Sequence, residues 1–164
     1  MKKFGMTALL VIVLYALQTS LMPRIAYHGV TADFMLLFVT STAFLKGSRF
    51  GALAGFSVGL LQDLASGTFL GMNAFTRLLL GYLIGKFSNQ VFKEQFFLPV
   101  FASIFVTLAN YFILALLMLL LGYRFNLMAH LQYTLLPMLA YQLAFAYPVH
   151  RLAYELDKRY RKKA

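Results

Sequence analysis

Charged residues divide this chain into apolar runs whose lengths suit membrane crossing. Residues 4–23 carry no charge, and about 20 apolar residues in a helix cross a hydrocarbon layer about 30 Å thick. The next run, 33–45, is short and reaches crossing length only with Asp33 at the interface. Runs 50–64 and 71–86 follow, the first ending near Asp63 and the second containing Arg77. Runs 95–123 and 128–150 are uncharged when His is neutral, and each is long enough to span. The pattern predicts an all-α integral membrane protein, one membrane domain over 1–164 built as a six-transmembrane-helix bundle with a basic tail at 151–164.

Within that pattern glycine recurs at four-residue steps. Gly47, Gly51, Gly55 and Gly59 form one series, Gly67 and Gly71 a second, Gly81 and Gly85 a third. These are small-xxx-small pairs in apolar helices, where missing Cβ atoms let backbones approach closely; such packing drives association where lipid is as apolar as the side chains. All eight glycines are therefore expected to pack helices together.

Composition points the same way. With 61% hydrophobic and 12% charged residues and a mean hydropathy of +0.73, too few polar groups remain to cover a water-soluble globule. Cysteine is absent, which removes disulfide and thiolate chemistry. The net charge of +10 would suggest nucleic acid in a soluble protein. Here the basic residues lie between the apolar runs and in the tail, so no nucleic-acid partner is expected.

Their distribution sets the expected orientation. With six spans starting inside, Lys2, Lys3, Lys46, Arg49, Lys86, Lys93, Arg151, Lys158, Arg159, Arg161, Lys162 and Lys163 are cytoplasmic: twelve of the fifteen basic residues. Arg24 and Arg124 fall outside, and Arg77 lies within a span. The positive-inside rule then puts both termini in the cytoplasm. The first run follows Lys2 and Lys3 as a signal peptide would, but Gln18-Thr19-Ser20 provides no small-residue cleavage site, so it is expected to stay as a helix. Lys158, Arg159, Arg161, Lys162 and Lys163 are candidate contacts for anionic lipid, each such charge contributing about 1 kcal/mol near an anionic leaflet.

No catalytic constellation emerges. His28, His130 and His150 are far apart, with no carboxylate at ligand spacing, and no phosphate-binding loop follows the glycines. Neither catalytic, cofactor nor metal residues are assigned. The charged residues to explain are Asp33, Asp63 and Arg77, since an ionisable group at mid-membrane costs about 2.5–3.5 kcal/mol on insertion scales. Asp63 and Arg77 flank one predicted hairpin, so they are expected to form a structural ion pair, with Gln62 and Asn73 completing the network; the alternatives are Asp63 in the outer headgroup layer with Arg77 snorkelling, or contact with a transported ligand.

The same residues carry a family resemblance. Gly55-Phe56-x-x-Gly59-Leu60-x-x-Asp63-x-x-x-Gly67-x-x-x-Gly71, followed by Ala74 and Gly81-Tyr82, resembles the signature stretch of the rod shape-determining protein MreD family. Leu17-Gln18-x-x-Leu21-x-Pro23, Asp33 and Lys46-Gly47-x-x-x-Gly51 match it in order and spacing, and Ala32 departs from the proline often found before the aspartate. The resemblance covers about residues 9–90. It implies a non-enzymatic scaffold or regulator in the bacterial inner membrane. The expected direct partner is the bitopic protein MreC, with the actin-like MreB and the peptidoglycan glycosyltransferase and transpeptidase acting indirectly; homodimerisation is open.

The bundle is also similar to the six-helix substrate-binding S subunits of energy-coupling-factor vitamin transporters. Those often dock on their ATPase through alanines four apart on the first helix. Here Ala8 and Ala16 are eight apart with Ile12 between them, which favours the scaffold.

Overall fold

The shortest predicted span turns out to be the centre of the molecule. In the computed structural model, which describes residues 2–67, 69–88, 97–124 and 126–161, α2 (Phe34–Lys46) has 13 residues, of which 11 are buried. It rises about 20 Å, short of a hydrocarbon layer about 30 Å thick. Length matters less here, because other helices rather than lipid surround it. Those helices are α1 (Lys2–Ser20), α3 (Ser48–Ser66), α4 (Met72–Ser88), α5 (Phe97–Leu120) and α7 (Leu136–Arg161), all in contact with α2. A 3-10 turn, Met22–Ile25, follows α1, and a short α6 (Leu127–His130) precedes α7.

A single residue joins α2 to α3. Gly47 has φ 87° and ψ −175°, and its N–H donates to the Ala43 carbonyl at 2.9 Å. Positive φ is available to glycine without a Cβ clash, so the chain reverses in one residue and α3 packs directly on α2. At the other end α3 stops at Gly67, whose left-handed φ of 64° is a common helix C-cap conformation. Gly71, with φ 100°, then leads into α4.

The sixth predicted run, 128–150, is divided. Between α6 and α7 the helix widens to a π turn over Leu131–Leu135, directly before Pro137, whose ring crowds the preceding turn and offers no N–H. α7 continues through Pro148 and on to Arg161, so most of the basic segment extends the last long helix.

The core has two parts. Leu14 of α1, Phe34, Leu37 and Phe38 of α2, Val58 of α3, and Ala146 and Val149 of α7 pack together, with Phe34 edge-on to Phe145 at 5.2 Å between ring centres. Leu36, Leu80 and Val106 join α2, α4 and α5. Buried Thr40, Thr76 and Thr107 return their hydroxyls to the carbonyl four residues back, at 2.8, 2.8 and 2.7 Å, which satisfies them without a cross-helix partner. By length and apolarity alone, two of the described helical stretches could cross a membrane, Gly5–Ile25 and Val100–Leu120. The remaining helices carry glycines or charges, or are short.

Candidate functional site

Five buried polar residues, Asp33, Asp63, Asn73, Arg77 and Gln142, gather at the end where α2 and α4 begin. Asp33 stands just before α2 as its N-cap, and its Oδ1 accepts from the Leu36 N–H at 3.0 Å. Carboxylates are favoured there, because the first helical N–H groups have no intrahelical acceptor. The Met35 N–H is taken up by Gln18 Oε1 from α1 at 3.2 Å, and the Asp33 carbonyl accepts from Gln142 Nε2 of α7 at 3.4 Å. Helices α1 and α7 thus meet at the start of the central one.

The expected pairing of Asp63 with Arg77 is not what the structure holds. Arg77, 1% exposed, donates from Nη2 to Asp33 Oδ2 at 2.5 Å. Its Nε and Nη1 are buried with no hydrogen-bond partner among the described residues, which leaves Asp33 as the acceptor that stabilises the cation there. Asp63, also 1% exposed, serves the first turn of α4 instead. Its Oδ2 accepts from the N–H groups of Gly71 at 2.9 Å and Ala74 at 3.1 Å. Its Oδ1 accepts from the Asn73 N–H at 3.1 Å and Asn73 Nδ2 at 2.8 Å. A carboxylate on α3 therefore caps α4 from outside, where the helix dipole also favours negative charge. Of the two residues expected to complete the network, Asn73 joins Asp63, while Gln62 Oε1 is buried without a partner among the described residues.

Sequence reasoning placed Arg77 with its hairpin neighbour and missed its bond to Asp33. It also gave no role to Gln142, and it met Gln18 only within a motif. A usable signal was present: Asp33 opens an apolar helix, and the chain has one other acidic residue in its apolar runs.

The glycine ladder separates into two groups. Gly51, Gly55 and Gly59 of α3 lie against α4 so closely that a methyl on each would collide with backbone: with the Gly81 carbonyl, the Arg77 carbonyl and, at 2.5 Å, the Asn73 carbonyl. Gly81 meets the Gly51 backbone in return, and Gly85 meets that of Gly47 and Ser48. The Ser88 hydroxyl continues the contact, donating to Ala43 of α2 at 3.2 Å. Gly67 and Gly71 do not belong to the seam. Among the described residues nothing lies within 4 Å of a methyl on either, and both have positive φ, so they serve the α3–α4 turn. This seam fixes the level of Arg77 beside Asp33, since Gly55 packs on the Arg77 backbone itself.

At the opposite end of the bundle, Lys158 and Arg159 are exposed on α7. The side chain of Arg161 and all of Lys162 and Lys163 lie outside the described residues, as do Thr68 and Lys93. Among the described residues no three His, Asp or Glu side chains converge as a metal site.

No curated protein and no solved structure matched the chain. The family of the rod shape-determining protein MreD matches residues 1–156, nearly the whole chain and the entire buried polar cluster. The chain therefore belongs to the MreD family, whose members are bacterial membrane proteins of rod-shape determination.

Proposed function

We propose that this chain is a non-enzymatic inner-membrane scaffold that crosses the membrane six times, keeps both termini in the cytoplasm, and acts with MreC in the machinery that elongates the cell wall. The supporting observation is the α2–α3–α4 unit. Its intramembrane charges are consumed internally, Arg77 by Asp33 and Asp63 by the amides of α4. Its helices are drawn together by the Gly51–Gly55–Gly59 seam. Such an arrangement supplies rigidity and a fixed surface, which a scaffold needs. A vitamin-binding S subunit would instead present those groups to a ligand.

In this reading the aspartate end of the bundle is periplasmic and the end with Lys46, Lys86 and Lys158 is cytoplasmic, in keeping with the excess of basic residues there. The tail Lys158, Arg159, Arg161, Lys162 and Lys163 anchors on anionic lipid. The glycosyltransferase, the transpeptidase and MreB are reached through MreC, and self-association is compatible with the same arrangement. Co-purification of the tagged full chain from membranes tests the reading. Recovery of MreC is expected; recovery of a coupling-factor ATPase without MreC would overturn it.

A further inference from the structure

The first helix is largely open to its surroundings, with 11% of its apolar stretch buried against 28% for Val100–Leu120. Between its first half and the end of α7 runs a groove of about 270 Å³. Met6, Leu9 and Val13 form one wall, and Leu152 and Leu156 form the other. Each wall covers eight residues, 6–13 and 152–159, or about 10 Å of helix axis. Open along one side and apolar along both walls, the groove suits a hydrocarbon chain lying along the helix axes.

Its polar rim carries one sign of uncompensated charge. Glu155 accepts from Arg151 Nε at 3.4 Å, and Arg151 Nη1 also donates to the Tyr147 hydroxyl at 3.2 Å, so that acid is balanced on its own helix. Arg159, one turn further along and also lining the groove, has no ion pair among the described residues. Exposed Lys158 stands next to it. An apolar slot under an uncompensated cation matches an acyl chain beneath an anionic headgroup, because the chain stays out of water while the phosphate meets the guanidinium.

We propose that this groove is a lipid site: one acyl chain of an anionic phospholipid lies between α1 and α7, and its phosphate is held by Arg159. The inference requires the membrane setting but not the scaffold reading, so loss of MreC binding and loss of lipid are separate outcomes. The test uses the full chain, reconstituted in vesicles of equal phosphatidylglycerol and phosphatidylcholine, extracted, washed in delipidating detergent and weighed by native mass spectrometry. The wild type is expected to retain one phosphatidylglycerol with a preference of about fivefold, the factor expected of one cation near an anionic headgroup. Leu156→Trp and Leu9→Trp, which fill the slot from opposite walls, are expected to lose the lipid. Arg159→Gln is expected to keep a lipid and lose the preference. Absence of retained lipid, equal retention by both tryptophan variants, an unchanged preference in Arg159→Gln, or a co-retained protein helix displaced by the tryptophans would each overturn the proposal. Should the tryptophan variants fail to fold, the exposed Arg159→Gln variant decides alone.

Discussion

Arg77 in α4 donates to Asp33 at the start of α2, a bond between residues 44 positions apart in the chain. It forms because α3 is a thin spacer. With glycine at 51, 55 and 59, the backbone of α4 comes against α3, and α4 reaches α2 as well. A charge that would be costly in lipid is thereby enclosed by protein and neutralised.

Breaking that pair should be far more damaging than replacing it. Removing one member of a buried pair costs roughly 3–5 kcal/mol, whereas apolar replacement of both is often close to neutral. Arg77→Met alone is expected to lower thermal stability in detergent sharply. Asp33→Asn combined with Arg77→Met should lose clearly less than the two single changes together, since Asn keeps the N-cap oxygen. Asp63→Asn combined with Arg77→Met should come closer to additive, because the two residues have separate partners. A strong coupling of Asp63 with Arg77 in that second cycle would contradict the pairing described above.

Asp63 is expected to act locally on α4. Asp63→Ala strands the N–H groups of Gly71, Asn73 and Ala74, and a buried unsatisfied donor costs about 1–3 kcal/mol. Amide hydrogen exchange should accelerate at Gly71, Asn73 and Ala74 before it does at Leu80. Uniform acceleration along α4 would mean that the carboxylate supports the whole bundle rather than this helix start.

The glycines should divide by position. Gly55→Ala pushes a methyl into the Arg77 backbone, and overpacking of this kind costs about 1–3 kcal/mol. Gly5→Ala lies within α1 with open space around it, so it should be neutral or stabilising by about 0.5–1 kcal/mol, the difference in helix preference between the two residues. Thermal denaturation of the two variants should move in opposite directions. Equal tolerance would mean that the seam is looser than its backbone contacts imply.

Orientation is checked by fusion. A reporter placed after Ala164 is expected in the cytoplasm, as is one placed after Lys46, whereas a reporter after Gly67 should read periplasmic. A periplasmic signal from the Ala164 fusion would remove one crossing from the count.

Charge spacing and apolarity along the chain were enough to specify a helical membrane protein, because the hydrocarbon layer imposes its length on each apolar run and helices satisfy their own backbone groups there. Four-residue glycine spacing likewise announced a close helix contact, and the motif run from Gly55 to Gly71 was enough to indicate the family. Which partner each polar group takes was decided only by tertiary packing. Local pattern favoured Asp63 for Arg77 because they share a hairpin, but the start of α4, with unsatisfied N–H groups, claimed Asp63, and the glycine seam delivered Arg77 to Asp33 instead. The burial of the short α2 was hidden for the same reason. One-dimensional apolarity measures how well a segment leaves water, and it does not distinguish a helix facing lipid from one enclosed by five others.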